Sequence, residues 1–166
     1  MPEQIIPKSE SSKRNLYPEI EPFKKNIVNT EDGHQIYFEE CGNPRGIPVL
    51  VIHGGPGGGC SPSMRRYFDP DAYYIVLFDQ RGCGRSRPYA SIDNNTTWHL
   101  LSDMEMIRKK LNIEKFVLFG GSWGAALSLI YAQKYPEMVS KIILRGVFTM
   151  TREELNWFYQ EGGASK

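Results

Sequence analysis

The segment Lys115–Ala126 reads Lys-Phe-Val-Leu-Phe-Gly-Gly-Ser-Trp-Gly-Ala-Ala. Its first half is an apolar run typical of a buried strand, and its second half begins a helix of small residues. Between them lies a Gly-x-Ser-x-Gly pattern with Ser122 at its centre. In this context the pattern predicts a tight turn that presents the serine hydroxyl at the N-terminus of a helix. Ser122 is therefore the candidate nucleophile. The alternative is a glycine-rich turn that merely connects strand and helix.

Apolar runs outward from this segment predict further buried strands over residues 47–53, 73–79 and 139–145. Helices are expected between them, from Thr96 or Thr97 to about Leu111 and again from Trp123. Strands that alternate with helices indicate an α/β fold with a mostly parallel sheet.

Other features of the sequence refine this picture. Asp32-Gly33 predicts a hairpin turn that opens the sheet, with His34 as an exposed strand residue. On the first helix, apolar periodicity favours Trp98 on the buried face and Asp103 on the polar face. His99 is expected to be packed or exposed rather than catalytic.

Composition excludes several classes of function. The 166 residues suit one domain, and the net charge of +1 argues against a nucleic-acid or acidic-membrane surface. The three cysteines lack CxxC spacing, which argues against a disulfide framework, a zinc site and an oxidising compartment. Neither a signal peptide nor a membrane-spanning run is present in the sequence. We therefore expect a cytoplasmic protein that needs no metal or other cofactor.

A glycine-rich loop follows the strand that ends at Ile52 and reads His53-Gly-Gly-Pro-Gly-Gly-Gly59. It lacks the spacing of a phosphate-binding loop or a dinucleotide fingerprint. Such a loop can direct a backbone N–H toward an oxyanion, and acyl transfer requires two donors of this kind. We assign one donor to Gly55 and the other to Trp123. For His53 a structural role that shapes the loop, together with Gly54, is favoured over general base.

The segment Asp79-Gln-Arg-Gly-Cys-Gly-Arg-Ser86 follows the next buried strand. It should lie at the carboxyl edge of the sheet, where parallel sheets carry function. We expect Asp79 and the arginines, Arg81 among them, to form ion pairs that lock this loop, with substrate contact as the alternative. Cys83 lies between glycines and is a candidate accessible thiol.

Five segments occur together in an order and spacing that resemble the proline iminopeptidase (prolyl aminopeptidase) family of the α/β-hydrolase fold. They are His53–Gly59, Asp79–Ser86, Asn94–His99, Gly120–Gly124 and Leu144–Gly146. The resemblance implies a serine peptidase that releases N-terminal proline from peptides through an acyl-enzyme, without a metal. It also implies that Phe148 and Phe158 help to line the proline pocket, for which ordinary packing is the alternative.

In this fold the triad acid and histidine follow the nucleophile in the chain, yet no histidine follows Ser122. The chain therefore resembles the first half of such an enzyme. We expect a mobile leader over residues 1–15, the N-terminal part of the hydrolase core over 16–150 and the start of a cap over 151–166. The alternatives are a non-catalytic fragment or pseudoenzyme, and a related esterase-type hydrolase.

Overall fold

A computed structural model describes residues 16–160. Six strands are present: β1 (Lys24–Asn29), β2 (Gln35–Gly42), β3 (Ile47–Ile52), β4 (Tyr73–Phe78), β5 (Phe116–Gly121) and β6 (Val139–Arg145). The α-helices are α1 (Thr97–Lys110), α2 (Trp123–Lys134) and α3 (Arg152–Tyr159), and short 3₁₀ helices cover Pro62–Tyr67 and Pro136–Met138. The predicted leader and residues 161–166 lie outside the described residues.

The strands form one sheet in the order β1-β2-β4-β3-β5-β6. The β1–β2 and β2–β4 pairs are antiparallel, whereas β3 pairs in parallel with both β4 and β5, and β5 with β6. The predicted α/β fold, with a hairpin followed by a mostly parallel sheet, is therefore confirmed. In the order of strands β1 and β6 form the two edges.

The core lies on both faces of the sheet, which explains the continuous apolar runs of the central strands. On one face Leu50 and Ile52 of β3 pack with α1 and α2, which contribute Ile107 and Tyr131. On the other face Val49 and Val51 join a second cluster under the Pro62–Tyr67 helix. Because side chains alternate along a strand, β3 must be apolar at every position to fill both layers.

Helix α1 begins as predicted, with Thr96 at its N-cap. The predicted burial of two of its residues is wrong. Trp98 is 60% exposed, whereas Asp103 is buried. Trp98 lies in the first turn, where Leu100 and Leu101 face the core instead. Asp103 can be buried because it has an arginine partner, a compensation that periodicity does not reveal.

The predicted exposure of His34 is also wrong, because the side chain is 2% exposed. The strand β2 is bridged at Gln35 by Arg87, through main-chain hydrogen bonds of 2.7 and 2.9 Å. The residues after Arg87 thus cover the start of β2, and the His34 Nε2 lies 2.9 Å from the carbonyl oxygen of Asp93. A long-range loop contact, rather than strand position, decides this burial.

Helix α3 begins at a capping box: Thr151 is its N-cap, and the Glu154 carboxylate accepts from the Thr151 N–H at 3.0 Å. Its assignment to a cap region stays a prediction. Among the helices within residues 16–160, none has the length and apolar character needed to cross a bilayer.

Candidate active site

Ser122 stands alone between the last residue of β5 and the first residue of α2. Its φ of 56° and ψ of −120° place a non-glycine residue in a sparsely populated conformation. Its N–H donates to the carbonyl oxygen of Arg145 at 3.1 Å, and its own carbonyl accepts from Ala125 at 2.8 Å. The side chain is exposed at the N-terminus of α2, where the helix dipole favours negative charge.

Two glycines allow this turn to close. A Cβ on Gly120 would overlap the carbonyl oxygen of Gly124, and a Cβ on Gly124 would overlap that of Ile52. Gly121 differs, because the nearest atoms to its Cβ would belong to the side chain of Arg145, at 3.2 Å or more. The two outer glycines of the pattern therefore permit β3, β5 and α2 to meet backbone to backbone.

The glycine-rich loop after β3 lies directly against this turn. A Cβ on Gly54 would come within 3.0 Å of the Gly121 carbonyl oxygen and 3.3 Å of the Ser122 Cβ. Gly55 follows with a φ of +124°, and a Cβ there would meet the Gly57 N–H nitrogen at 2.5 Å, so only glycine suits the position. The loop of Gly55 and the turn of Ser122 are far apart in sequence, and the parallel pairing of β3 with β5 brings them together.

His53 uses both ring nitrogens inside the protein. The Gln80 N–H donates to Nε2 at 3.0 Å, while Nδ1 lies 2.8 Å from the Gly54 carbonyl oxygen and 3.2 Å from the Gly59 nitrogen. The two shorter contacts favour the tautomer whose proton is on Nδ1 and is donated to the Gly54 carbonyl. Burial lowers the pKa of His53 below its ordinary value and favours the neutral ring. A neutral ring with both nitrogens engaged holds the loop and has no free position from which to accept the Ser122 proton. His34 and His99 likewise contact other groups, the Asp93 carbonyl and Thr96.

Gln80 is a residue of the site that sequence reasoning missed. It is 1% exposed, and its side-chain Nε2 donates to the His53 carbonyl oxygen at 2.9 Å. Its Oε1 accepts from the indole Nε1 of Trp123 at 3.0 Å. The available signal was its place in the Asp79–Ser86 segment, between Asp79 and Arg81, which were both singled out.

Asp79 holds the loop together, but its arginine partner is Arg85 and not Arg81. The Asp79 carboxylate accepts from Arg85 Nε at 2.7 Å, from the Arg85 N–H at 2.8 Å and from the Cys60 N–H at 2.8 Å. Burial by itself raises the pKa of Asp79, yet these hydrogen bonds outweigh it and hold the pKa below its ordinary value. The buried carboxylate is therefore ionised and fully paired, as a loop-shaping role requires.

Arg81 forms a second, separate network. Its Nε and Nη2 donate to the two carboxylate oxygens of Asp103 at 2.8 and 2.6 Å, and Nη1 donates to Asp32 at 2.8 Å. Nη1 also contacts the carbonyl oxygen of Asn94. The guanidinium therefore joins the β1–β2 turn, the loop before α1 and α1 itself. These engaged donors are not available to a substrate, which favours the loop-locking role over substrate contact.

Cys83, predicted to be accessible, is buried, and burial raises the pKa of its thiol. Because the thiolate is the nucleophile, this cysteine is unreactive at neutral pH. Within residues 16–160 no group of three or more His, Cys, Asp or Glu side chains is arranged to hold a metal ion.

The two aromatic residues of the expected proline pocket pack against each other. The rings of Phe148 and Phe158 meet edge to face with centroids 5.5 Å apart, and Phe158 remains partly exposed. The segment that carries them leaves β6 beside Ser122, since a Cβ on Gly146 would lie 3.9 Å from the Ser122 nitrogen. Their contact with a substrate stays a prediction.

The fold agrees with the comparison to known families. Residues 47–162 match the alpha/beta hydrolase fold family, and the chain belongs to that family. The predicted likeness to proline iminopeptidases is confirmed as well. The chain is 55% identical to the proline iminopeptidase of Xylella fastidiosa (strain Temecula1 / ATCC 700964), over 91% of this chain and 48% of the relative. It is 49% identical to that of Arabidopsis thaliana, over 93% of this chain and 40% of the relative.

A solved structure has a similar fold. A proline iminopeptidase-related protein from Thermus thermophilus is 29% identical, with a TM-score of 0.61 over 74% of this chain and 44% of that one. The chain spans about half the length of the curated relatives it matches.

Proposed function

We propose that this chain carries the nucleophile and the oxyanion hole of a serine aminopeptidase that releases proline from the N-terminus of peptides. The observation that carries the proposal is the strained, exposed Ser122, seated on a helix N-terminus against the glycine loop of Gly55. The proline iminopeptidases at 49–55% identity support proline as the residue released.

In the proposed reaction the Ser122 Oγ attacks the carbonyl carbon of the N-terminal proline while a base takes its proton. The N–H groups of Gly55 and Trp123 donate to the resulting oxyanion. Collapse of this intermediate breaks the peptide bond, and the leaving amine receives the proton from the base. Water then attacks the prolyl ester, releases proline and restores the serine hydroxyl.

The base and its orienting acid are not supplied by the three histidines of this chain, because His53 is fully engaged and the other two bind elsewhere. The proposal therefore applies to the complete product of the gene, with an acid and a histidine that follow Ser122 in the chain. The same observation favours a second candidate, a non-catalytic protein that retains only the binding surface. The coding sequence after the Lys166 codon distinguishes the two, since a catalytic product requires an in-frame histidine there.

The experiment is hydrolysis of L-proline p-nitroanilide by the purified complete gene product and its Ser122→Ala variant. Loss of the nucleophile should lower kcat by about four to six orders of magnitude while the circular dichroism spectrum stays unchanged. Ser63→Ala is the matched control, because Ser63 is exposed and its hydroxyl bonds with that of Ser61. Turnover by Ser122→Ala close to that of the control would show the assignment to be wrong. A wild-type product without turnover would favour the non-catalytic candidate.

A further inference from the structure

One buried amide, that of Gln80, connects the two segments that carry the proposed oxyanion donors. Its Nε2 donates to the carbonyl oxygen of His53 at 2.9 Å, and its Oε1 accepts from the Trp123 indole at 3.0 Å. A third bond, from the Gln80 N–H to the His53 ring at 3.0 Å, also joins Gln80 to His53. Trp123 bears one of the donors on its own backbone, and Gly55, which bears the other, lies two residues after His53.

We propose that Gln80 is a positioning residue that sets the separation between the N–H groups of Gly55 and Trp123. The inference rests on the proposed function, since it concerns the oxyanion hole of that same site. Oxyanion donors act only when they are aimed at the position where charge develops, so small displacements reduce the rate.

The amide is suited to this task because it offers a donor and an acceptor in one rigid plane. A glutamate would keep an acceptor for the indole but would turn a second acceptor toward the His53 carbonyl. A methionine would fill the same volume with neither bond. Since Gln80 is 1% exposed, water is in a poor position to replace either partner, and the His53 carbonyl and the indole N–H would both remain unpaired.

Gln80 is itself held on both sides. Asp79 is fixed by Arg85 and the Cys60 N–H, and Arg81 is fixed by Asp103. The side chain of Gln80 therefore extends from a backbone that two ion-pair networks hold in place. A rigid origin is what a positioning residue needs, because a mobile one would transmit its own displacement to the donors.

The first test is kinetic and uses the complete gene product. Gln80→Met should lower kcat on L-proline p-nitroanilide by about 10- to 100-fold, less than the loss of a whole oxyanion donor, with KM changed less than about threefold. Affinity for a proline boronic acid, which forms a tetrahedral adduct with serine, should fall in parallel, whereas inhibition by free proline should change little. Tyr74→Phe is the control, because it removes a buried side-chain hydrogen bond, to Glu40, that involves none of His53, Gln80 and Trp123. It should not separate kcat from KM.

The second test does not depend on activity. The indole N–H signal of Trp123 in a ¹⁵N-correlated NMR spectrum, assigned by its loss in Trp123→Phe, should be protected from solvent exchange. Gln80→Met should move that signal and expose it to exchange, while the signals of Trp98 and Trp157, which are 60% and 51% exposed, stay in place. Trp123→Phe removes the same hydrogen bond by deleting its donor. It should lower kcat far less than Ser122→Ala does, and in the double variant it should lower kcat little beyond the effect of Gln80→Met.

Each outcome supports or overturns the proposed function or the positioning role of Gln80. A wild type without turnover overturns the proposed function and the positioning role with it. An active wild type whose Gln80→Met variant keeps its kcat, or loses kcat only together with KM and proline affinity, overturns the positioning role alone. If Gln80→Met does not fold, Gln80→Glu and Trp123→Phe must give the same separation of kcat from KM, and the role is wrong if neither does.

Discussion

The α carbon of Gly124 lies against the carbonyl oxygen of Ile52, with no room for a Cβ between them. Helix α2 therefore contacts the end of β3 backbone to backbone. Gly124→Ala should destabilise the protein by about 3 kcal/mol or more, because the overlap is with main-chain atoms that cannot turn aside. Gly120→Ala should behave similarly, since its Cβ would overlap Gly124 itself. The measurement is the free energy of unfolding in urea.

Gly121→Ala supplies the control for these variants. It adds the same methyl group inside the same turn, but the group would face the flexible side chain of Arg145. We expect its free energy of unfolding to fall by less than about 1 kcal/mol, within the range of ordinary substitutions. Equal losses for Gly121→Ala and Gly124→Ala would contradict a specific backbone contact.

The buried pair of Arg81 and Asp103 gives a prediction about the loop that follows β4. Asp103→Asn should destabilise the protein by about 3–5 kcal/mol, because it removes the main counter-charge of a buried guanidinium. The double variant Arg81→Met with Asp103→Leu should be more stable than either single variant, since the only charge left without its partner is the partly exposed Asp32. Additive losses in thermal or urea unfolding would contradict this account of the pair.

His53 gives a prediction about pH. Its pKa in the folded protein lies below the 6.5 of an exposed histidine, because burial disfavours the charged ring. Above pH 6.5 both the folded and the unfolded chain carry a neutral ring, so the group has no effect on stability there. As the pH falls below 6.5 the unfolded chain binds a proton first, and stability decreases until the folded ring also titrates.

NMR of the histidine ring nitrogens measures this directly. We expect the His53 ring to stay mostly neutral, with its proton on Nδ1, at pH 6.5, where a histidine of ordinary pKa is half protonated. A His53 ring with the proton on Nε2 would contradict the hydrogen bonds that hold the glycine loop.

The 166-residue chain by itself should show no Ser122-dependent hydrolysis of proline amides, because no histidine follows Ser122 and the three that precede it bond other groups. It should also associate, since β6 is an edge strand with Ile142 and Ile143 38% and 42% exposed. Light scattering after size exclusion gives the size distribution. Ile142→Lys should shift it toward the monomer, whereas Ile27→Lys, the same change on the opposite edge strand β1, should not. A monomer that turns over substrate through Ser122 would show that a base is recruited from within these residues.

The strands and the tight turn at Ser122 could be predicted from sequence because their causes are local. The apolar runs of β3 and β5 and the Gly-x-Ser-x-Gly pattern each specify an element within a few residues. Asp103 could not be placed, since helical periodicity assigns a carboxylate to the outer face unless its partner is known. The prediction that His34 is exposed failed for the same reason, because a loop far along the chain covers the residue.

The site was predictable only in part. Ser122 and the glycine loop follow from patterns that sheet pairing brings together. The role of Gln80 depends on two partners that lie 27 and 43 residues away, and no spacing rule points to them. The partner of Asp79 was likewise ambiguous among several arginines until the loop geometry distinguished Arg85 from Arg81.

The network of Arg81 has a consequence for the order in which this protein can assemble on the ribosome. Asp32, Asn94 and Asp103 all precede Ser122 in the chain, and the neighbouring strands β1, β2, β4 and β3 are complete before α1 is made. The loop of Gln80 can thus close while the serine is still being translated. Strand β5 then pairs with β3, Trp123 docks onto a glutamine whose backbone is already anchored, and β6 adds to the sheet after both.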